Sequence, residues 1–347
     1  MKARFLGLAT ATLAAGSILA MGWIGLAPAQ TMPARISFQI ATGPTGGTYF
    51  PVGQALAGLL SNPPGTQRCE TASRCGPPGL IMSSRTSNGA VANIFAVNSG
   101  ATESALASAD AVAEAVAGTG AFAKAGKQTH IRVIAALFPE PLHLVVAAKS
   151  SIKNVGGLKG KRVSLGVDGS GTLISARAVL AAYGLSERSI KPLFEPPDTN
   201  AQMIQKGQLD AFFTIGGTPV PVVEDLIRRG DARLVPISGG GRTRLLATVS
   251  NMQTGIIPAG AYPGSAATQG VSIRAMWIVR DSVSPDLVYS LTRALFDADN
   301  RASLTRAHAA AGELSLATAT VKLPAPLHPG AQRFYREAGV NGKPPGK

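Results

Sequence analysis

The chain has 347 residues, of which 45% are hydrophobic, and this is enough for one large domain or two lobes of ordinary size. Its 40 glycines and 24 prolines follow no collagen-like or low-complexity period, and the absence of a solenoid-length repeat excludes repeat architectures. The net charge of +14 comes from scattered basic residues, without a polybasic block and with only 5% aromatic residues, so no nucleic-acid partner is expected.

The first 29 residues have the features of a secretory signal peptide. Lys2 and Arg4 precede an uncharged run that starts at Phe5, and the run closes with the small-x-small pattern Ala27-Pro28-Ala29. This pattern predicts cleavage after Ala29 and an exported, periplasmic mature protein. The alternative is an uncleaved anchor, since the apolar run is long enough to span a bilayer. For an exported protein, the basic charge predicts a solvated surface, or else steering of an anionic ligand or partner.

Beyond the signal peptide, short apolar strands alternate with helices, which predicts an α/β fold with mostly parallel pairing. The predicted strands are RISFQIA, GLIMSS, SALAS, HIRVIAALF, PLHLVVAA, KRVSLGV, KPLF, LDAFFTI, DARLVPIS and VSIRAMWIVR. The predicted helices are PVGQALAGLLS, SNGAVANIFAVNSG, ADAVAEAVAG, GSGTLISARAVLAAYG, DTNAQMIQKG, VPVVEDLIRRG and SPDLVYSLTRALFDAD, followed by further helices. KNVGGLKG and the glycine-rich segment before VSIRAMWIVR are predicted to be loops.

The strand–helix pattern occurs twice, with a break at the paired strands between His130 and Ala148. It therefore predicts two lobes with a ligand crevice between them, at the carboxyl ends of the strands. Residues 30–145 are assigned to the first part of lobe I and residues 146–271 to lobe II. Residues 272–347 return to lobe I and add C-terminal helices.

Cys69 and Cys75 are the two cysteines of the chain, and they lie close together in RCETASRCGPPG. In an oxidising compartment they are expected to form a disulfide that holds one loop in shape. A metal site is the weaker alternative, because two cysteines without nearby histidines supply half of a zinc shell.

Three strand-to-helix junctions are rich in glycine and hydroxyl residues, and together they predict a ligand clamp. Glycine lets a ligand approach the backbone, and the free N–H groups of a first helical turn favour an anion. The residues concerned are Thr42, Thr45, Gly46, Gly47 and Thr48 in the first junction, Gly169, Ser170, Gly171 and Thr172 in the second, and Thr214, Gly216, Gly217 and Thr218 in the third. The alternative is ordinary turn chemistry, since glycine-rich turns are common between strands and helices.

Motifs for catalysis and cofactor binding are missing from the sequence. GxxxxGK[ST] and GxSxG are absent, and GSGTLIS lacks the third glycine of a dinucleotide fingerprint. His143, near Glu140, is read as a partly buried histidine on a hinge strand rather than as a catalytic base. No carboxylate pair or metal constellation stands out, so neither a metal nor a cofactor is expected.

An ordered series of motifs resembles the TAXI (TRAP-associated extracytoplasmic immunogenic) solute receptors of tripartite TRAP transporters. The matching stretches are IATGPTGGTYFPVG, CGPPGLI, SNGAVAN, FPEPLHLVV, GLKGKRVSLGVDGSGT, GQLDAFF, IPAGAYPG and LHPGAQRFYREAG. They cover nearly the whole mature chain.

The resemblance implies a two-lobed, type II-like periplasmic-binding-protein fold with the ligand cleft between its lobes and no enzymatic activity. It implies a monomer that captures a small anionic or zwitterionic solute bearing a carboxylate, glutamate being one example, and delivers it to TRAP membrane subunits. Ligand contacts would fall on Thr42 to Tyr49, on the loop of Ser87 and Asn88, on Ser108, and on the loops at Ser170 and Thr214.

The chain departs from the TAXI pattern at the third strand-to-helix junction. Where the family often has VQSDVAY, residues 107–113 read ASADAVA, so that only Asp110 matches, and a family serine is replaced by Ala90. Small groups in place of larger polar ones predict a roomier site or a different solute. Two other functions are kept as alternatives: a ligand sensor for a membrane signalling partner, and an enzyme on the same fold.

Overall fold

The computed structural model of the chain describes residues 34–65, 69 and 74–340; the predicted signal peptide lies outside these residues. Within the described residues the strands are β1 (Ile36–Ala41), β2 (Leu80–Arg85), β3 (Ser104–Ser108), β4 (Ile131–Ala147), β5 (Arg162–Ser164), β6 (Lys191–Leu193), β7 (Ala211–Ile215), β8 (Ala232–Val235), β9 (Gln253–Ile257) and β10 (Thr268–Arg280).

The helices follow the same alternation. They are α1 (Tyr49–Leu60), α2 (Ala90–Ser99), α3 (Ala109–Ala117), α4 (Gly171–Ala182), α5 (Pro197–Gln205), α6 (Pro221–Arg228), α7 (Gly240–Thr248), α8 (Pro285–Leu295), α9 (Ala298–Ala307) and α10 (Pro329–Glu337). Short 3₁₀ helices lie at Gly120–Phe122, Val155–Leu158, Glu187–Ser189 and Ala309–Glu313. Among the described residues, no helix is long and apolar enough to cross a membrane.

The helix ends fall where the sequence places the stop and start signals. α2 and α3 end at Gly100 and Gly118, which adopt the left-handed conformation that glycine tolerates at a helix C-terminus. α8 begins at Pro285 directly after Ser284, as predicted from the preference for proline in the first helical turn.

The strands form one curled sheet in the order β2-β1-β3-β10-β4-β7-β5-β6, with β8 beside β4 and β9 beside β10. Parallel pairs occur at both ends of this order, between β1 and its neighbours β2 and β3 and between β5 and its neighbours β6 and β7. The prediction of mostly parallel pairing is wrong for the middle of the sheet. There the long strands β4 and β10 run antiparallel to each other and to β3, β7, β8 and β9.

β4 is one continuous strand, whereas the sequence predicted two strands separated at its prolines. Its first part pairs with β10 as far as Pro141, and from Leu142 onward it pairs with β7. Because β10 continues alongside, the ladder bridges Pro139 and Pro141 even though neither can donate a backbone hydrogen bond. β4 is therefore a strand shared by the two halves of the sheet.

The glycine-rich connector after β8 also differs from the prediction, because it contains α7 and β9 rather than a loop. The helix begins with Gly240 and Gly241, which are poor helix formers, and it is anchored by Leu245, which is fully buried. β9 forms through its antiparallel pairing with the first half of β10. Both elements depend on long-range partners that local propensity does not reveal.

Three apolar clusters of buried side chains lie against the sheet. One is formed largely on α1, α8 and α10 around Trp277, and another on α5 and α6 around Phe212. The third runs along the other face, where α2, α3 and α4 pack. Burial of these faces leaves the loops at the carboxyl ends of the parallel strands facing each other.

The predicted disulfide between Cys69 and Cys75 is confirmed, with a Cα–Cα distance of 6.0 Å. Its loop is tied to α9, because Arg74 forms an ion pair with Asp299 and its carbonyl accepts a hydrogen bond from Asn300.

Candidate functional site

A small cavity of about 50 Å³ lies where loops from the two halves of the sheet meet. It has room for a few water-sized groups, and it therefore suits a small solute. Its walls come from the loop before α1, the starts of α1, α2, α4 and α5, the ends of β3 and β7, the middle of β4, and the loops after β5 and β6.

The cavity brings together nine of the residues predicted from sequence. They are Gly47, Thr48, Tyr49, Asn88, Ser108, Ser170, Gly171, Thr172 and Thr214. The other predicted residues lie behind or beside the wall: Thr42, Thr45, Gly46, Ser87, Gly169, Gly216 and Gly217. The two sets have different structural roles.

Thr42 and Ser87 organise the turn between β1 and α1 from behind the cavity wall. The Thr42 hydroxyl donates to the Arg85 carbonyl at 2.7 Å, and the Ser87 hydroxyl donates to the Thr42 carbonyl at 3.2 Å. Asn93 is fully buried and donates to the same Thr42 carbonyl at 2.6 Å. These bonds position Thr48 and Tyr49 without reaching the cavity themselves.

The glycine turn before α1 meets a carboxylate that belongs to the chain itself. Asp198, on α5, accepts from the Gly46 N–H at 3.0 Å and from the Thr45 hydroxyl at 3.1 Å. A Cβ on residue 46 would lie 2.5 Å from the Asp198 carboxylate, so any larger residue here has to displace this side chain from the turn. The Gly47 N–H donates to the Pro44 carbonyl within the turn. In this conformation, neither N–H is free for a solute.

Further hydrogen bonds join the two sides of the cavity. The Thr48 hydroxyl donates to the Gly217 carbonyl at 2.8 Å, and Asn88 donates to the Asp168 carbonyl at 3.1 Å. The Ala92 N–H donates a hydrogen bond to the Gly169 carbonyl at 3.0 Å. Together with the Asp198 contacts, these bonds hold the loops of the two sides together around the cavity.

Glu140, in the middle of β4, is the most deeply buried carboxyl group of the cavity wall. Its side chain is 1% exposed, and it accepts from the Tyr49 hydroxyl at 2.7 Å. Burial raises the pKa of Glu140 to about 8, although the Tyr49 bond opposes this rise. Burial, with Glu140 beside it, also raises the pKa of Tyr49, so the tyrosine is the donor in this pair.

Asp110 is a second buried carboxyl group, behind Ser108 at the start of α3. It is 3% exposed, and burial raises its pKa, while hydrogen bonds from Ser108, from the Ala111 backbone and from Ser175 oppose the rise. Ser175, on α4, donates to Asp110 at 3.2 Å and so links the two sides of the cavity. Two acids therefore lie close together in a region of low dielectric.

Two polar side-chain atoms at the cavity wall are buried without a hydrogen bond of standard geometry among the described residues. Ser108 Oγ is fully buried, and its hydroxyl lies close enough to Asp110 to lower the pKa of that carboxyl group. Asn200 is 1% exposed; its amide donates to the Glu195 carbonyl, and its Oδ1 has no partner. Buried polar atoms without partners are uncommon in proteins, and these two are placed to meet a ligand.

The first turn of α4 adds backbone donors to the same cavity. Ser170 caps the helix by accepting from the Leu173 N–H at 3.2 Å, while Gly171 and Thr172 line the cavity. The N–H groups of a first helical turn have no partners within the helix, and they carry the positive end of its dipole. This wall can accept a negatively charged or carbonyl oxygen.

Sequence reasoning missed Glu140, Glu195 and Asn200, which all line the cavity, and Asp198 beside it. Glu140 is the one acidic residue in the apolar stretch of β4, and a lone carboxyl group in a buried strand was the available signal. The junction between β6 and α5 was predicted, but it lacks the glycines by which the other junctions were recognised.

His143 lies on β4 and was predicted to be partly buried, but the structure buries it completely. Its Nδ1 faces the Pro141 carbonyl at 2.9 Å, and its Nε2 faces the Tyr262 hydroxyl at 2.7 Å. That hydroxyl accepts from the Val220 N–H at 2.9 Å. Burial lowers the pKa of His143 to about 4, so the ring is neutral at neutral pH. It lies outside the cavity wall.

The sequence pattern of the NMT1-like family matches residues 40–339. Since this is most of the chain, the protein belongs to the NMT1-like family.

Solved structures with a similar fold include the periplasmic binding protein BugD, with a TM-score of 0.52 at 13% identity over 89% of this chain and 95% of that one. A protein from Bordetella bronchiseptica RB50 has a TM-score of 0.51 at 15% identity, over 87% and 98% of the two chains. MatC from Rhodopseudomonas palustris, solved with bound malate, has a TM-score of 0.50 at 14% identity, over 87% and 96%. At these identities the likeness shows the fold alone, which is the two-lobed α/β fold of periplasmic binding proteins.

Proposed function

We propose that this NMT1-like protein is an exported receptor that binds a small carboxylate-bearing solute between its lobes and delivers it to a membrane transporter. The observation that carries the proposal is the cavity itself, around which elements from both halves of the sheet place buried polar atoms that lack hydrogen bonds of standard geometry. A cavity at the carboxyl ends of parallel strands is the usual ligand position in such sheets. The donors at the start of α4 suit the carboxylate.

The receptor would have the two lobes that were expected from the sequence. Residues 30–145 and 272–347 would form lobe I and residues 146–271 lobe II, so that Thr48 and Asp198 act across the cleft. The shared strands β4 and β10 would then carry the hinge. The TAXI resemblance favours a TRAP transporter as the partner, a periplasmic location after signal-peptide cleavage, and a monomeric receptor.

We propose binding without catalysis because the buried carboxyl groups beside the cavity form hydrogen bonds to neighbouring side chains of the protein and are not arranged as a catalytic pair. Glu140 is held by Tyr49, and Asp110 by Ser175. Incubating the protein with its solute and recovering that solute unchanged supports a receptor, whereas conversion of the solute would establish an enzyme.

The decisive experiment is native mass spectrometry of protein purified from the periplasm of its host. We expect a bound small solute that is released on denaturation and identified by its mass. A protein that carries no solute, and that binds none in a metabolite screen, would overturn the proposal.

Transport and sensing are then separated in a deletion strain. Loss of uptake of the identified solute supports delivery to a transporter. Intact uptake with loss of solute-dependent gene induction would assign the sensor function instead.

A further inference from the structure

A second cavity, of about 250 Å³, lies beside β10. β9 pairs with Thr268–Ser272 and β3 pairs with Ala275–Val279, both along the edge of β10 that faces away from β4. Arg274 therefore lies in the gap between these two strands, and it lines the cavity. The wall of this cavity shares no residue with the wall of the solute cavity, so the two are separate sites.

The two cavities differ in the charge of their walls. Among the described residues that line the second cavity, Arg274 and Lys322 are charged and none is acidic, so it is called the basic cavity below. The solute cavity has Glu140 and Glu195 in its wall and no cationic side chain among the described residues. Two positive charges thus border one space without a carboxylate in the wall to balance them.

Arg274 is partly buried and forms no ion pair with any described residue. Its Nη1 donates to the Leu137 carbonyl at 3.1 Å and to the Thr318 hydroxyl at 3.3 Å, whereas its Nε and Nη2 make no hydrogen bond within the described part of the chain. Burial lowers the pKa of Arg274, and the charge of Glu313 opposes this effect from beyond ion-pairing distance. The free edge of a guanidinium group, Nε with Nη2, can bind two oxygens of one oxyanion.

The backbone of the basic cavity is also unusual. Asn251 and Lys322 have φ values of 66° and 51°, and no other non-glycine residue in the described ranges has positive φ. Lysine rarely adopts this left-handed conformation, and residues held in it are concentrated at binding sites. Gln253 and Thr318 add an amide and a hydroxyl group to the wall, and both groups can donate to an oxygen.

We propose that the basic cavity binds a small, doubly charged oxyanion of the sulfate and phosphate class. Arg274 and Lys322 together balance two negative charges, and the volume admits such an ion with a few water molecules. The ion fills the gap between β9 and β3, and it therefore stabilises the folded protein by mass action. This site goes beyond the proposed receptor function and does not depend on the identity of the solute.

The first test is titration of the purified protein with sodium sulfate and with sodium phosphate, followed by thermal unfolding and by calorimetry. Sodium chloride at matched ionic strength and sodium nitrate, a singly charged oxyanion, are the reference salts. Sulfate also stabilises proteins by its exclusion from their surface, and that effect does not saturate. We therefore expect a saturable rise in Tm and a saturable heat with sulfate or phosphate. No saturable binding, or nitrate binding as tight as that of the doubly charged ions, would overturn the proposal.

Arg274→Gln locates the site, because Arg274 does not line the solute cavity. We expect the affinity for the oxyanion to fall at least about tenfold, as for loss of hydrogen bonds to a charged group. The matched control is Arg233→Gln. Arg233 is also partly buried and donates to two backbone carbonyls, those of Ser150 and Ile152, but it lies outside the basic cavity. Equal affinities in the two variants would overturn the proposal.

Lys322→Gln covers the case in which Arg274→Gln does not fold, since Lys322 is exposed and its replacement removes only the charge. We expect a severalfold loss of oxyanion affinity, with Lys159→Gln, another exposed lysine outside the cavity, unchanged. Wild-type affinity in Lys322→Gln would overturn the assignment. A protein that binds no solute but binds sulfate through these residues would lose the receptor proposal and keep this site.

Discussion

Glu140 places a carboxyl group in β4, a strand that otherwise carries almost no charge. Its neighbours in sequence, Pro139 and Pro141, lack backbone donors, and its side chain accepts from the Tyr49 hydroxyl in the cavity wall. A carboxyl group that is removed from water keeps its proton to higher pH unless a cation balances it. The residue therefore links the protonation of the site to the stability of the fold.

The first prediction concerns stability as a function of pH. Burial raises the pKa of Glu140 to about 8 from the ordinary 4.5. Between these values the folded protein holds a proton that the unfolded chain has released, so the free energy of unfolding should fall as pH rises. The slope contributed by one such group is at most about 1.4 kcal/mol per pH unit.

Urea unfolding of the wild type and of Glu140→Gln from pH 4.5 to 8 measures this contribution. Other ionisable groups are common to both proteins, so the difference between their unfolding free energies isolates Glu140. We expect the advantage of the wild type to shrink steadily with rising pH. Two parallel curves would contradict the assignment of a raised pKa to this residue.

The second prediction contrasts two adjacent glycines. Gly46→Ala places a methyl group 2.5 Å from Asp198, and it should break the contact between the turn and α5. Gly47→Ala meets only the Pro44 carbonyl at 3.4 Å, and residue 47 does not have positive φ. We expect Gly46→Ala to weaken solute binding at least severalfold, while Gly47→Ala folds and binds nearly as the wild type does. Equal effects in calorimetry would show that the Asp198 contact is not what requires glycine.

At the scale of elements, β4 connects the parallel strands at the two ends of the sheet. Its second half is held by a hydrogen-bond chain that runs from the Val220 N–H to the Tyr262 hydroxyl and on to His143. Each member is buried and satisfied by the next. Such a chain fixes β4 relative to the start of α6. Removal of the Tyr262 hydroxyl would therefore leave both of its hydrogen-bond partners unsatisfied.

The third prediction is that Tyr262→Phe destabilises the protein by about 1–3 kcal/mol, since it leaves the Val220 N–H and His143 Nε2 buried without partners. Chemical denaturation measures the loss. The control is Tyr289→Phe, which removes an exposed hydroxyl and should change the stability by less than about 0.5 kcal/mol. Similar values for both variants would show that the buried chain contributes nothing specific.

The fourth prediction concerns the disulfide loop. Cys69 and Cys75 enclose a short loop, for which the chain-entropy estimate of stabilisation is about 2 kcal/mol. Reduction, or the Cys69→Ser/Cys75→Ser double variant, should therefore lower stability modestly and leave solute binding unchanged, because neither cysteine lines the cavity. Thermal unfolding with and without reductant measures the first effect, and loss of binding on reduction would contradict the second.

At the scale of the whole molecule, hydrogen bonds join the loops on the two sides of the cavity. Thr48, Asp198 and Asn88 each form a hydrogen bond from one side of the cavity to the other. A ligand that bridges the same sides stabilises the closed form in proportion to its preference for that form. If these bonds stabilise a closed form, removing one of them should lower the affinity for the solute even where the lost bond is not made to the solute.

The fifth prediction is that Thr48→Val, which keeps the shape but removes the bond to the Gly217 carbonyl, favours the open form. We expect small-angle scattering to give a larger radius of gyration without solute, and affinity to fall about 5- to 150-fold, equivalent to about 1–3 kcal/mol. Thr305→Val is the control, since its hydroxyl bonds only to the Arg301 carbonyl within α9. Unchanged affinity in Thr48→Val would mean that this bond does not hold the closed form.

The sequence by itself determined the elements that depend on local chemistry. The alternation of apolar runs, the glycines at Gly100 and Gly118 and the proline at Pro285 predicted most strands and helices, because the period of burial and the backbone limits of these residues are local properties. The glycine and hydroxyl junctions likewise predicted nine residues that the cavity brings together.

Tertiary structure alone decided the features that depend on distant partners. β4 is continuous across its prolines because β10 lies beside it, and α7 and β9 form because other elements bury or pair with them. The cavity wall belongs to the same class: Glu140 from β4 and Asn200 from α5 both line it, although their positions in the sequence give no sign that they come together. The partner of Gly46 was also unforeseen, because Asp198 is distant in sequence and approaches only when the loops close around the cavity.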